Sequence, residues 1–153
     1  MKTCLTELVI AGLYYTEEMP RSKLFYYLFL LDYVAQAKLG EPLTGLQWKK
    51  YHYAIYPDNR HDVQNVLDEL INDVKIIAQE GQKYKLINKD EAAKIVNNLK
   101  KDVLTVIEKV AKIVKEKSDR ELLELIQQLE GVRDIPCMTP IPLYRAKLPK
   151  ELE

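Results

Sequence analysis

The chain has few of the residues from which active sites, metal sites and disulfide frameworks are built. It contains two cysteines and two histidines among 153 residues, and Cys4 and Cys137 lie near opposite ends of the sequence. This pattern favours a reduced, cytoplasmic protein over a secreted one held by disulfides. The five glycines are scattered, so no Gly-rich phosphate loop is present, and no Gly-x-Ser-x-Gly motif occurs. We therefore expect no enzyme activity, no bound metal and no cofactor.

An excess of charge of one sign and a long hydrophobic run are also missing. The 23 basic residues equal the 23 acidic ones, so the formal net charge is zero. This removes the bulk attraction expected of a general nucleic-acid coat. The longest apolar run, residues 24–31, is far shorter than the roughly 20 residues that cross a bilayer, and the N-terminus has no signal-peptide pattern. We expect a cytoplasmic protein that does not act at a membrane.

The first part of the chain, residues 1–87, reads as a helical core with one β-hairpin. Helices are predicted over residues 3–14, from a Ser22 cap to about Lys38, over 60–74 and, as a short element, over 45–52. The second of these is apolar all round, which is typical of a central core helix. Strands are predicted at 75–79 and 83–87, with Gly81 in the turn. Leaving aside the short element, three helices followed by a hairpin is the order of a winged helix-turn-helix domain, so the fold class is mainly α (α+β).

The second part, residues 88–131, is predicted to hold one long helix over 88–117 and a short one opened by a capping box at Ser118. The long segment carries a heptad pattern that includes Val96, Leu99, Val103, Val106 and Val110. We favour packing of this seam on the domain's own core, with a homodimer through residues 89–117 as the alternative. The remaining residues, 132–153, contain four of the seven prolines and are expected to be extended.

An aromatic and basic segment is the best candidate for a partner-binding surface. Aromatic rings interleaved with cations typify the energetically dominant residues of protein interfaces. Seven residues are predicted to contact a protein partner: Trp48, Lys49, Lys50, Tyr53, Tyr56, Arg60 and His61. A core role for Trp48, with its ring nitrogen hydrogen-bonded, is at least as plausible from the sequence.

A DNA-binding transcriptional regulator is the alternative function, because a winged helix places the helix before its hairpin in the major groove. The cations available for phosphate contacts are Lys49, Lys50, Arg60, Lys83 and Lys85. The helix over 60–74 argues against it. That helix carries four carboxylates and no basic residue beyond Arg60 and His61, and carboxylates repel the phosphates that dominate DNA affinity. Nucleic acid is therefore the less favoured partner.

Residues 23–70 also carry a family resemblance. Residues 23–26 read Lys-Leu-Phe-Tyr, residues 40–45 read Gly-Glu-Pro-Leu-Thr-Gly, and residues 48–51 and the pair Tyr56 and Pro57 follow in order. This succession resembles the Panacea antitoxin domain, a family that includes the SocA-type proteolysis adaptor and phage-associated proteins. The resemblance implies a helical protein-binding domain that neutralises a toxin or acts as an adaptor, without enzyme activity.

Overall fold

The structure, a computed structural model, describes residues 4–52 and 54–153. Within these ranges it forms six α-helices and six short strands. The helices are α1 (Leu5–Thr16), α2 (Arg21–Leu39), α3 (Arg60–Asn72), α4 (Lys89–Asn97), α5 (Lys101–Glu116) and α6 (Asp119–Gln127). The strands are β1 (Glu18–Pro20), β2 (Trp48–Lys50), β3 (Ile55–Pro57), β4 (Ile77–Glu80), β5 (Lys83–Leu86) and β6 (Thr139–Pro140). The predicted class, mainly α with some β, is confirmed.

Helix α2 is the centre of the core, as its apolar surface predicts. Every residue from 24 to 35 is buried, and the helix packs against α1, α5 and α6. It ends at Gly40, which adopts φ 87° and donates its backbone N–H to the Gln36 carbonyl. The predicted cap at Ser22 is wrong: the N-cap is Pro20, and the Ser22 hydroxyl instead donates to Asp119 at 2.5 Å. Ser22 thus joins α2 to α6.

The predicted hairpin is present as β4 and β5, and the structure adds a third strand to it. β1 pairs antiparallel with β5, which gives the sheet order β1-β5-β4. Residues 18–20, within the segment 17–20 that was predicted as a loop, form β1, with Met19 buried in the core and Glu18 exposed. The helices α1, α2 and α3 precede this hairpin as predicted, and β1, β2 and β3 lie between them.

A second small sheet replaces the short helix predicted over residues 45–52. Its order is β3-β2-β6, all antiparallel. The extended form places Trp48 in the core, where it is 2% exposed, and leaves Lys49 and Lys50 half-buried. β6 comes from the C-terminal segment: Met138 and Ile141 donate backbone N–H groups to the carbonyls of Lys50 and Trp48, at 2.6 and 2.8 Å.

The single long helix predicted over 88–117 is wrong. α4 ends at Asn97 and α5 starts at Lys101, and both helices pack on α1. Consecutive asparagines have low helix propensity, and the break lets two shorter helices follow one core surface. Among the heptad residues, Val96, Val103, Val106 and Val110 are at most 5% exposed and Leu99 is half-buried. These valines pack inside the chain, and a homodimer through 89–117 stays a prediction.

The predicted capping box at the start of α6 is confirmed, because Ser118 and Glu121 exchange side-chain to backbone hydrogen bonds at 3.0 and 3.2 Å. The residues that follow α6 are held on the core. Tyr33 donates its hydroxyl to the Glu130 carbonyl and accepts the Lys147 N–H, and Leu152 is fully buried. No helix in the described part of the chain is long and apolar enough to cross a membrane.

Candidate partner-binding surface

Five residues from three elements and one loop form a group of stacked rings and cations, which we call the Tyr56 cluster: Arg21, Phe25, Tyr51, Tyr56 and Arg60. The Tyr56 ring meets Phe25 edge-on at 5.4 Å between centroids and lies 6.0 Å from Tyr51. The Arg60 guanidinium sits 5.3 Å from the Tyr56 ring centre, and Arg21 sits 5.4 Å from that of Phe25. Both distances are in the range of cation–π attraction.

Local structure explains why these residues meet. Arg21 and Phe25 are four residues apart on α2 and therefore share one helix face. The β2–β3 hairpin returns the chain so that Tyr56 reaches this face, and α3 begins with Arg60 three residues after the hairpin. Arg21 also donates to Gln64 at 2.7 Å and to the Tyr84 hydroxyl at 2.8 Å. These bonds tie α2, α3 and the β4–β5 hairpin together, so the cluster is held in place before any partner arrives.

A cavity of about 290 Å³ opens beside the cluster, between the start of α2 and the turn of the β4–β5 hairpin. Phe25 and Tyr56 supply its apolar wall, and Arg21, Ser22 and Gln82 supply polar groups. Phe25 is only 3% exposed, whereas Tyr56 is half-buried and Arg60 is exposed. The cavity therefore combines an aromatic floor with the guanidinium group of Arg21, and Arg60 lies nearby against the Tyr56 ring.

A buried carboxylate, Asp32, holds the segment that leads into the β2–β3 hairpin. Asp32 is fully buried in α2 and accepts four hydrogen bonds. One oxygen accepts the backbone N–H groups of Leu43 and Thr44, each at 2.8 Å. The other accepts the Thr44 hydroxyl at 2.5 Å and the Trp48 ring N–H at 2.8 Å. Burial raises the pKa of Asp32, and the four donors act in the opposite direction by stabilising the carboxylate.

Comparison with known proteins places the chain in a family. A family model described as Antitoxin SocA-like, Panacea domain, matches residues 24–130, well over half of the chain. The chain belongs to this family. Comparison with curated proteins and with solved structures gave no significant match. The matched range of the Panacea domain contains Asp32 and the whole Tyr56 cluster except Arg21, and it ends before the C-terminal segment that supplies β6.

The structure brings four of the predicted partner-binding residues to one region of the Panacea domain. Lys49 lies directly opposite Tyr56 in the β2–β3 register, so their side chains share a face of the sheet. His61 is exposed and follows Arg60 on α3. Phe25, Tyr51 and Arg21 were not among the predicted residues. The spacing of Arg21 and Phe25, four positions apart on one helix, could have predicted their contact.

Two predicted partner-binding residues make contacts within the fold. Trp48 packs edge-on against Phe29 at 5.3 Å and bonds to Asp32, so it supports the surface from below. Lys50 donates to the carbonyls of Val132 and Ile135 at 2.7 and 2.9 Å, which fastens the C-terminal segment. Tyr53 lies outside the described residues.

The cations predicted for DNA contact lie on different elements, and two of them are bound to groups within the chain. Lys83 forms an ion pair with Glu18 at 3.4 Å on the β1–β5 sheet, and Lys85 is exposed two residues further along β5. Lys50 is engaged by the C-terminal segment. The exposed side of α3 carries four carboxylates: Asp62, Asp68, Glu69 and, just after its last turn, Asp73.

The described residues contain no group of three or more histidine, cysteine or acidic side chains placed to hold a metal ion. Both cysteines are free thiols. Burial and the neighbouring Glu7 raise the pKa of the Cys4 thiol, which disfavours the reactive thiolate.

Proposed function

We propose that this Panacea domain is a protein-interaction module of antitoxin or adaptor type, without catalytic activity, that binds a partner protein through the Tyr56 cluster together with Lys49 and His61. Family membership supports an antitoxin-type role. The observation that carries the choice of surface is the stack of Arg60, Tyr56 and Phe25 beside an open cavity.

The physical basis is the energetics of protein interfaces. Tyrosine and arginine are enriched among the residues whose truncation costs most binding energy, and such residues work best when already ordered. Here the rings hold one another, and Arg21 is fixed by hydrogen bonds to Gln64 and Tyr84. A partner side chain that enters the cavity would meet an apolar wall and the guanidinium group of Arg21, which is already held in place.

DNA binding is the second candidate, and the order of elements in the β1-β5-β4 sheet favours it. In a winged helix, α3 would face the major groove. The exposed carboxylates of α3 would then lie against phosphate, which is repulsive. Protein binding is the better supported of the two.

The test is a pull-down from host lysate treated with nuclease. The paired substitutions Tyr56→Ala and Arg60→Ala form the variant, and Tyr144→Ala with Lys101→Ala form the control. Tyr144 is 81% exposed, and Lys101 is exposed at the start of α5, beside the end of α2 that is opposite to the cluster. We expect a specific protein with wild type and control and its loss with the variant, while all three give equal circular dichroism. Recovery of nucleic acid alone, or equal recovery by the variant, would contradict the proposal.

A further inference from the structure

A second surface adjoins the first at Pro20, which lines both the cavity beside the Tyr56 cluster and the first cavity of this surface. Two adjoining cavities of about 320 and 580 Å³ share Thr16, Glu18 and Lys115 in their walls. They run between the end of α1, the β1–β5 sheet and the last turn of α5. We call this the lysine groove, after the five lysines that line it: Lys23, Lys83, Lys85, Lys89 and Lys115.

The groove has a local excess of positive charge in a chain whose net charge is zero. Five lysines face two glutamates there, Glu17 and Glu18, whereas the whole chain has 23 residues of each sign. The remaining surface must therefore be net negative. Only Lys83 is paired with a carboxylate, and Lys23 donates to the Val114 carbonyl. Lys85, Lys89 and Lys115 form no ion pair with any carboxylate in the described ranges.

Helix stability does not explain all of these lysines. Lys115 lies in the last turn of α5, where a cation is favourable. Lys89 is the first residue of α4, where the helix dipole disfavours a cation and attracts an anion. The first turn of α4 also carries Asp90 and Glu91, which offset the helix dipole, so the positive charge at that end of the groove comes from Lys89 itself.

The backbone of the groove is also strained at one position. Glu17 has φ 70°, a conformation that residues with a side chain rarely adopt, and its carbonyl accepts the Leu86 N–H at 2.9 Å. Residues held in such conformations cluster at binding sites, because the surrounding structure has to enforce them. Glu17 is also the C-cap of α1, so its positive φ serves first to end that helix.

We propose that the lysine groove binds an extended acidic segment of a protein partner. The three unpaired lysines supply the attraction, and a recess formed by two adjoining cavities suits an extended chain. Duplex DNA is less suitable, because the groove is recessed. Single-stranded nucleic acid is usually held by aromatic rings that stack on its bases, and no aromatic side chain among the described residues lines either cavity.

Fluorescence anisotropy tests this with a labelled twelve-residue peptide rich in glutamate, and with labelled oligothymidylate and duplex DNA of similar charge. The groove variant carries Lys85→Gln, Lys89→Gln and Lys115→Gln. The control carries Lys38→Gln, Lys101→Gln and Lys150→Gln, three exposed lysines elsewhere, so both lose the same net charge. We expect the groove variant to bind the peptide at least about tenfold more weakly than the control in low salt, and added salt to reduce the difference.

The proposal is overturned if wild type does not bind the acidic peptide in low salt, or if both variants weaken equally. It is also overturned if nucleic acid binds more tightly than the peptide with the same dependence on the groove lysines. Salt-dependent self-association that the groove variant loses would assign the groove to a second copy of this chain and overturn it as well. Tyr56→Ala should leave peptide binding unchanged, which separates this surface from the proposed partner site.

Discussion

Replacing Asp32 by asparagine should destabilise the domain by about 3 kcal/mol, although the two side chains have almost the same shape and volume. The carboxylate accepts four hydrogen bonds, two at each oxygen. An asparagine offers one oxygen and one NH₂ group, so two of the four donors would face another donor.

The size of this loss of stability depends on which of the four donors can find another acceptor. The Thr44 hydroxyl can rotate, but the Trp48 ring N–H is fixed in a residue that is 2% exposed. An unpaired buried donor costs about 1–3 kcal/mol, and loss of bonds to a charged acceptor adds to this. Relief from burying a charge works in the opposite direction. A net loss of about 2–4 kcal/mol is a large share of the 5–15 kcal/mol that stabilises a typical domain.

Urea unfolding followed by circular dichroism measures this loss. Asp73→Asn, at an exposed position just after α3, is the control and should change the unfolding free energy by less than about 0.5 kcal/mol. A double-mutant cycle with Trp48→Phe isolates the ring N–H bond and should show a coupling of about 1 kcal/mol or more. The reasoning is refuted if Asp32→Asn costs less than about 1 kcal/mol with an unchanged denaturant slope, or if the two substitutions are additive.

Three further predictions concern other parts of the fold. Gly12→Ala should lower the unfolding free energy, measured with urea, by about 1–3 kcal/mol, although alanine has the higher helix propensity. The reason is that the new Cβ would lie 2.5–2.8 Å from the buried ring and hydroxyl of Tyr27. A neutral or stabilising effect would contradict this packing. Ser118→Ala should cost about 1 kcal/mol by the same assay through loss of the α6 cap, and Ser118→Thr much less; equal losses would exclude the cap as the cause. Burial and the bond to Glu108 raise the pKa of Tyr15 to about 12, so neutral Tyr15 stabilises the fold fully below about pH 10 and loses this effect as the pH rises towards 12. The stability gap between wild type and Tyr15→Phe, from melts at stepped pH, should narrow over that interval, and a constant gap would contradict the assignment.

Much of the architecture could be predicted because the signals are local. The apolar surface of α2 and the Ser118 capping box each depend on spacing within one element. The division of the long helix at residues 98–100 could not be read this way. It follows from how α4 and α5 both pack on α1, a tertiary effect that overrides a continuous heptad pattern.

The candidate surface was only partly predictable for the same reason. The interleaved rings and cations of residues 48–60 pointed to the segment that the structure places in the Tyr56 cluster, but alternation along β2 decides which side chains reach the surface. Trp48 faces Asp32 and Lys50 faces the C-terminal segment, and both partners are distant in sequence. A lone aspartate inside an otherwise apolar helix was a readable sign that a buried polar network exists there.

The measurement that tests the central claim most directly is the affinity of the purified domain for the partner that the pull-down identifies, by isothermal titration calorimetry. Tyr56→Ala should weaken binding at least about tenfold without changing the fold, because truncating a central tyrosine of an interface costs on the order of 2 kcal/mol. Tyr144→Ala, the same substitution at an exposed tyrosine outside the Tyr56 cluster, should bind like wild type. Equal affinities for wild type and Tyr56→Ala would contradict the claim that this surface holds the partner.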